Sequence, residues 1–199
     1  MKYCVVKLRS QTATFRNPEF FNYHKSFLVP PPTTLIGIAG AALGISPKQA
    51  QTYFDEENFE MGAYALTQGV ANDLWKYNDF SNGSIIQREI MFQNRFVIIY
   101  GNENEEKIHE LEQAFSNPIY CLTMGSSDSL AKVEQVYTTT QTGSSHTVSH
   151  CLLEGNVVDE VINNAQNGLE FSIYSTSDPI AYQLPVQFSY TKDYGMRRV

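Results

Sequence analysis

Apolar and polar positions alternate from the first residues. In KYCVVKLR, Cys4, Val6 and Leu8 fall on one side and Tyr3, Val5 and Lys7 on the other, a period of two that, with its β-branched content, predicts an inner strand. Residues 10 to 32 carry no period and end in Pro30, Pro31 and Pro32, which fix φ and lack an amide donor, so an ordered extended loop is expected. Thr33 or Thr34 is the expected cap of a helix through Leu35 to Leu43. Gly37, Gly40 and Gly44 lie on one face of that helix, where the missing side chains admit another backbone. Pro47 opens a second helical piece.

Residues 59–69 read as a strand, and Ser84 to Tyr100 as a longer one. In the latter Ile86, Ile90, Phe92, Phe96 and Ile98 oppose Gln87, Glu89, Gln93 and Arg95. It far exceeds the usual ~5–6 residues, so part of it projects beyond the core, with the preceding segment as its return arm and Asn82-Gly83 as the turn. NENEEKIHELEQAF predicts a helix with Ile108, Leu111 and Phe115 on one face and acids at its amino end, where the helix dipole favours them. PIYCLTM resumes β character. Residues 1–124 therefore read β-α-β-β-α-β: an α+β, ferredoxin-like (RRM-like) domain with a protruding hairpin at about 70–96. Residues 125–199, with QVYTTT, TVSHCLLEG, GLEFSIYS and VQFSYT, read as a small β-rich annex.

Composition changes this picture in two ways. With 42% hydrophobic and 13% aromatic residues the chain has material for a packed, β-rich core, which excludes disorder. The net charge of −7 argues against a protein that coats nucleic acid with its whole surface. The charge is uneven, however: residues 1–54 hold Lys2, Lys7, Arg9, Arg16, Lys25 and Lys48 against Glu19 alone, leaving −12 for the remainder. A local anion-binding region on an acidic body fits that asymmetry. Cys4, Cys121 and Cys151 are odd in number and widely spaced, which points to a reducing compartment such as the cytoplasm. No apolar run approaches the ~18 residues of a membrane span, so no membrane partner is expected.

GIAGAALG has neither the GxGxxG nor the GxxxxGK[ST] spacing of a nucleotide loop, and helix packing explains its glycines as well as close approach by a ligand does. His146, His150 and Cys151 lie in a β-like stretch where positions i and i+4 stand about 13 Å apart, too few and too far for a metal site. Neither a cofactor nor a metal is expected. Tyr23, His24 and Lys25 offer the groups of a metal-free ribonuclease, yet on an extended segment His24 points away from the other two, which favours contact over catalysis. Arg9, Arg16 and Lys25, interleaved with Phe15, Phe20, Phe21 and Tyr23, combine phosphate-binding cations with stacking rings. The aromatic signature of RNA-recognition motifs is missing from QREIMFQNRFVIIY, so RNA contacts are expected from loops and hairpin and not from the open sheet.

TATFRNPEF followed by SFLVPPPTTLIGIAGAALG resembles the amino-terminal signature of the Cas-five family, the RAMP subunits that cap the 5′ end of CRISPR RNA in type I Cascade complexes. PIYCLTMGSSDSLAKVEQV is similar to that family's late strand and glycine turn. The resemblance implies a ferredoxin-like body that grips the repeat-derived 5′ handle of the crRNA, and a thumb hairpin set beside the Cascade backbone subunit. The large subunit and PAM-proximal target DNA are further expected contacts. By motif position Arg9, Gln11, Phe15, Arg16, Tyr23, Lys25, Thr33 and Thr34 are the RNA-binding candidates, with Gly37 and Gly40 admitting phosphates at the helix start. On the hairpin Lys76, Tyr77, Arg88 and Arg95 join them by chemistry and position. The family's endoribonuclease branch uses tyrosine, lysine and histidine; the hairpin here lacks the lysine-histidine pair, so a noncatalytic, type I-B-like subunit is expected. A metal-independent endoribonuclease and a small-molecule-binding domain are the rival readings.

Overall fold

The first strand, β1 (Lys2–Ala13), buries Cys4, Val6, Leu8 and Ser10 and turns Lys7, Arg9 and Gln11 the other way, so its alternation sets the two faces of the whole sheet. The computed structural model describes residues 1–18, 20, 23–78, 83–143, 188–191 and 195–198; at 67, 68, 77, 78, 83 and 84 and in the last two segments the backbone alone is described. β1 pairs antiparallel with β6 (Gly83–Asn102) on one side and with β7 (Ala131–Thr139) on the other, and β5 (Glu60–Asn78) pairs antiparallel with β6. Among the described residues, four long strands thus stand in the order β5-β6-β1-β7 and three helices accompany them.

The helices cover the face of β1 that carries Cys4, Val6 and Leu8. α1 (Pro32–Leu43), α2 (Pro47–Glu56) and α3 (Glu105–Ser116) contribute Leu35, Ile38, Ala39, Phe54, Ile108, Leu111 and Phe115 to one core with Phe96, Ile98 and Tyr100 of β6. Tyr100 is fully buried and donates its hydroxyl to the Leu35 carbonyl at 2.8 Å, so its polar end is satisfied within the apolar layer.

Local chemistry explains most helix ends. Ser46 and Gln49 form a reciprocal capping box at α2, and Asn104 accepts from the Glu106 amide at α3. α1 departs from expectation: Pro31 occupies the cap with no side-chain bond and Pro32 opens the helix, placing Thr33 and Thr34 inside the first turn. At its other end Gly44 takes a left-handed φ of 73°, and its amide bonds the Ala41 carbonyl.

β6 breaks its alternation at one point. From Asn94 to Tyr100 the even positions are buried, but Gln93 adopts a φ of 55° and the β5 register shifts opposite it, so Met91 is buried while Phe92 stands 41% exposed. The expected single apolar side containing both Phe92 and Phe96 is therefore split by a bulge. The strand closing the sheet beyond β1 comes later than expected. Residues 118–124 carry only the Thr123–Leu130 bridge, because Pro118 lacks an amide and the Ile119 and Tyr120 amides bond the Ala42 and Ala41 carbonyls at the end of α1. β7 takes that role from within the stretch read as an annex. Of that stretch, β8 (Phe188–Thr191) and β9 (Gly195–Arg198) form an antiparallel pair, whereas TVSHCLLEG and GLEFSIYS, with His146, His150 and Cys151, lie outside the described residues.

Candidate nucleic-acid interface

The basic-aromatic segment between β1 and α1 folds as a strap. Phe15 and Arg16 form β2 (Phe15–Arg16), paired with Phe27 and Ser26 of β4 (Ser26–Phe27), while β3 (Tyr23–His24) runs parallel to β6, setting Tyr23 opposite Gln87 and His24 opposite Arg88. Phe15 and Phe27 plug into the core, with the Phe15 ring 5.7 Å from that of Phe96, so Phe15 is a packing residue and not the stacking platform expected of it. Glu89 fastens the strap: it accepts from the Ser26 amide at 3.2 Å and from the Tyr23 hydroxyl at 3.4 Å, while its carbonyl takes the Thr14 hydroxyl. Outward remain exposed Arg16 and half-buried Lys25, whose ammonium lies 5.4 Å from the Phe20 ring centroid. Phe21 lies outside the described residues.

Tyr23, His24 and Lys25 have separate engagements. The Tyr23 hydroxyl donates to Asn72 at 2.9 Å, and burial together with Glu89 raises its pKa. His24 is buried with its ring 5.9 Å from Trp75; desolvation, then Arg16 and Arg88, holds its pKa below the usual histidine range. At the start of α1, Thr33 is buried and Thr34 half-buried. Gly37 is exposed, with nothing within 4 Å of where a Cβ would stand. Gly40 faces α2 instead: a Cβ there would meet Ala50 at 2.7 Å, so this glycine serves helix packing rather than phosphate approach.

The hairpin candidates divide. Lys76 is exposed, and Tyr77 is placed by its backbone alone, opposite Ser84. Arg88 is not available to a phosphate, since its side chain is only 7% exposed and bonds Asp73 at 2.8 Å and Asp128 at 3.3 Å, with its guanidinium 5.4 Å from the Trp75 ring. A hydrogen bond from Ser126, reinforced by Arg88, holds the Asp128 carboxyl below its usual pKa against a smaller desolvation effect.

Arg9, Gln11 and Arg95 occupy a different surface, the face of the sheet that is helix-free among the described residues. Arg9 is the cross-strand partner of Arg95 on β6 and of Lys132 on β7, so three cations stand in one row over three strands. Lys7 lies one row away, 6.0 Å from the Tyr137 ring, and Tyr64 occupies the same face opposite Val97. Sequence reading missed Lys7, Lys132, Tyr64 and Tyr137 here. Lys7 was legible from its parity with Arg9, whereas the other three join the face only through strand pairing.

The family described as CRISPR-associated protein (Cas_Cas5) matches residues 3–199. The chain belongs to that family. It is therefore a CRISPR-associated protein, as the opening signature implied. No curated protein matches it. Similar solved structures include a chain of a CRISPR RNA-guided surveillance complex, at 11% identity and a TM-score of 0.46, covering 63% of this chain and 58% of that one. A CRISPR protein from Archaeoglobus fulgidus is similar at 18% identity and a TM-score of 0.42, covering 69% and 64%. A structure described only as a Cas protein is similar at 16% and 0.41, covering 63% and 57%. The matched part thus spans less than two thirds of each of these chains. Among the described residues no helix is long and apolar enough to cross a membrane, and no group of three or more acidic, histidine or cysteine side chains is placed to hold a metal ion.

Proposed function

We propose that this Cas5-family chain is the noncatalytic subunit that caps the 5′ handle of crRNA in a cytoplasmic, type I-B-like surveillance complex. Its body is ferredoxin-like in this reading, supported by the order of its long elements and by four antiparallel-paired strands. The outer β5/β6 pair, beyond the Ala13–Met91 end of β1, serves as the thumb against the backbone subunit. The large subunit and PAM-proximal target DNA complete the set of partners.

One observation carries the RNA part: the strap is folded in advance. Glu89, the Phe15 and Phe27 plugs and the β3/β6 pairing anchor Phe15, Tyr23, His24, Ser26 and Phe27, while Arg16 and Lys25 remain at the surface. A fixed cationic ledge loses little conformational freedom on binding a phosphodiester. The same arrangement supports a noncatalytic role. Tyr23 gives its proton to a carboxamide and a carboxylate, and His24 lies buried against an indole, so two of the three groups a ribonuclease would converge on one phosphate are committed elsewhere.

The full chain is expected to copurify with its cognate backbone subunits and guide RNA. Replacing the repeat-derived handle should abolish capture, and Arg16→Ala should weaken binding by roughly 1–3 kcal/mol. Undiminished capture of handle-less RNA would overturn the assignment. Site-specific cutting of repeat RNA in EDTA would replace it with the nuclease reading.

A further inference from the structure

The row Arg9, Arg95 and Lys132 is electrostatically odd. Like charges directly opposite one another on neighbouring strands destabilise a sheet, and here the repulsion is repeated across two gaps of ~4.8 Å. One carboxylate answers it: Glu134 lies 3.5 Å from the Arg95 Nε, and that arginine side chain remains 51% exposed. Arg9 and Lys132 are exposed as well. In a chain of net charge −7, a cationic row facing away from the helices has its natural complement in a polyanion.

The surroundings specify the kind of polyanion. Beside the row, Val97 and Ile99 form a half-buried apolar floor with buried Val5 between them and β7. Tyr64 on β5 and Tyr137 on β7 stand at either flank of that floor, each 37% exposed. Rings partly open to solvent next to a line of phosphate-binding cations form a stacking platform, which needs unpaired bases. A duplex presents its phosphates but keeps its bases stacked inside, so it could use the row and not the rings.

We propose that the helix-free face of the sheet is a second RNA site, which holds a sequence-neutral run of single-stranded RNA with phosphates on Arg9, Arg95 and Lys132 and bases against Tyr64 and Tyr137. The inference rests on the RNA-binding reading for the class of ligand only. The surface is distinct from the strap, whose plugs Phe15 and Phe27 enter on the helix-covered side.

The test uses the full chain and a fluorescent oligouridylate of about 15 nucleotides without repeat sequence, which fills a site of ~4–16 nucleotides. Anisotropy titrations over a range of salt should give a log K against log salt slope of about −2, from ~0.7 for each of three phosphates. Arg9→Ala with Lys132→Ala should bring the slope to about −0.7. Tyr137→Ala should weaken binding about tenfold at unchanged slope, and a blunt RNA duplex of equal length should compete poorly. Thermal melting guards against misfolding: removing two of three like charges should leave the melting temperature level or higher. Unchanged affinity and slope in the double variant, or a duplex competing as well as the single strand, would refute the proposal. Handle-bearing RNA titrated in parallel separates the two readings. If the unaltered chain shows no preference for it, the handle assignment falls while the oligouridylate result still decides the sheet.

Discussion

His24 is buried against Trp75, where desolvation, then the charges of Arg16 and Arg88, disfavours a proton on its ring. Its folded pKa is lowered, so on acidification the unfolded chain takes up this proton first, from about pH 6.5 downward. The contribution of His24 to stability is whole above that pH and declines as pH falls toward the lowered folded value. His24→Gln should accordingly flatten the fall of melting temperature between about pH 7 and pH 5, and a parallel fall in both proteins would show that other groups govern it. Arg88 teaches a related lesson about reading single residues. A lone arginine on a projecting strand reads as a phosphate contact, but its partners lie 15 and 40 positions away, at Asp73 and Asp128. Nothing local marks either pairing. Arg9 was legible as an outward cation by parity alone, because strand alternation is a local property.

At the scale of elements, the helices and long strands were legible where period and caps agree, as at Pro47 with its Ser46 box and in the apolar stripe of α3. Two elements were not. The β character of 118–124 is real in composition, yet its amides are taken by the open end of α1, a competition that only the assembled fold brings about. The glycines of α1 serve separate ends, with Gly44 in a left-handed cap and Gly40 against Ala50. Gly40→Ala adds a methyl where 2.7 Å is available, which exceeds the ~1 kcal/mol that alanine returns in helix propensity. A net loss of about 1–2 kcal/mol in urea unfolding is expected. Gly40→Ala combined with Ala50→Gly should cost less than the two separate changes, since the double variant exchanges which helix carries the methyl. Strict additivity would mean that the helices part without resistance.

For the whole molecule, charge is sorted by side. Asp55, Glu56, Glu57, Glu105, Glu106, Glu110 and Glu112 lie on the helical layer, where Lys107 bridges to Glu57 at 3.0 Å, and the cationic row lies on the opposite face of the sheet. The acidic total and the basic amino-terminal segment were both visible in the sequence; that Arg9 joins Arg95 and Lys132 on the face away from the helices required the topology. The outer β5/β6 pair adds a third character. Leu74 and Ile85 are 73% and 72% exposed on it, well clear of the basic rows. In the proposed complex these two belong to protein contact, so Leu74→Glu with Ile85→Glu should abolish copurification with the backbone subunit. RNA affinity of the isolated chain should stay within twofold, and stability should barely move, as at other exposed positions. Retained copurification would assign the thumb contact elsewhere. Gln93 gives this division a physical seam. One left-handed residue interrupts the alternation of β6, so Met91 is buried and Phe92 exposed where the strand leaves the core. In the proposed complex a single continuous ribbon can therefore carry a nucleic-acid surface at its root and a protein surface farther out, with the break at Gln93 between them.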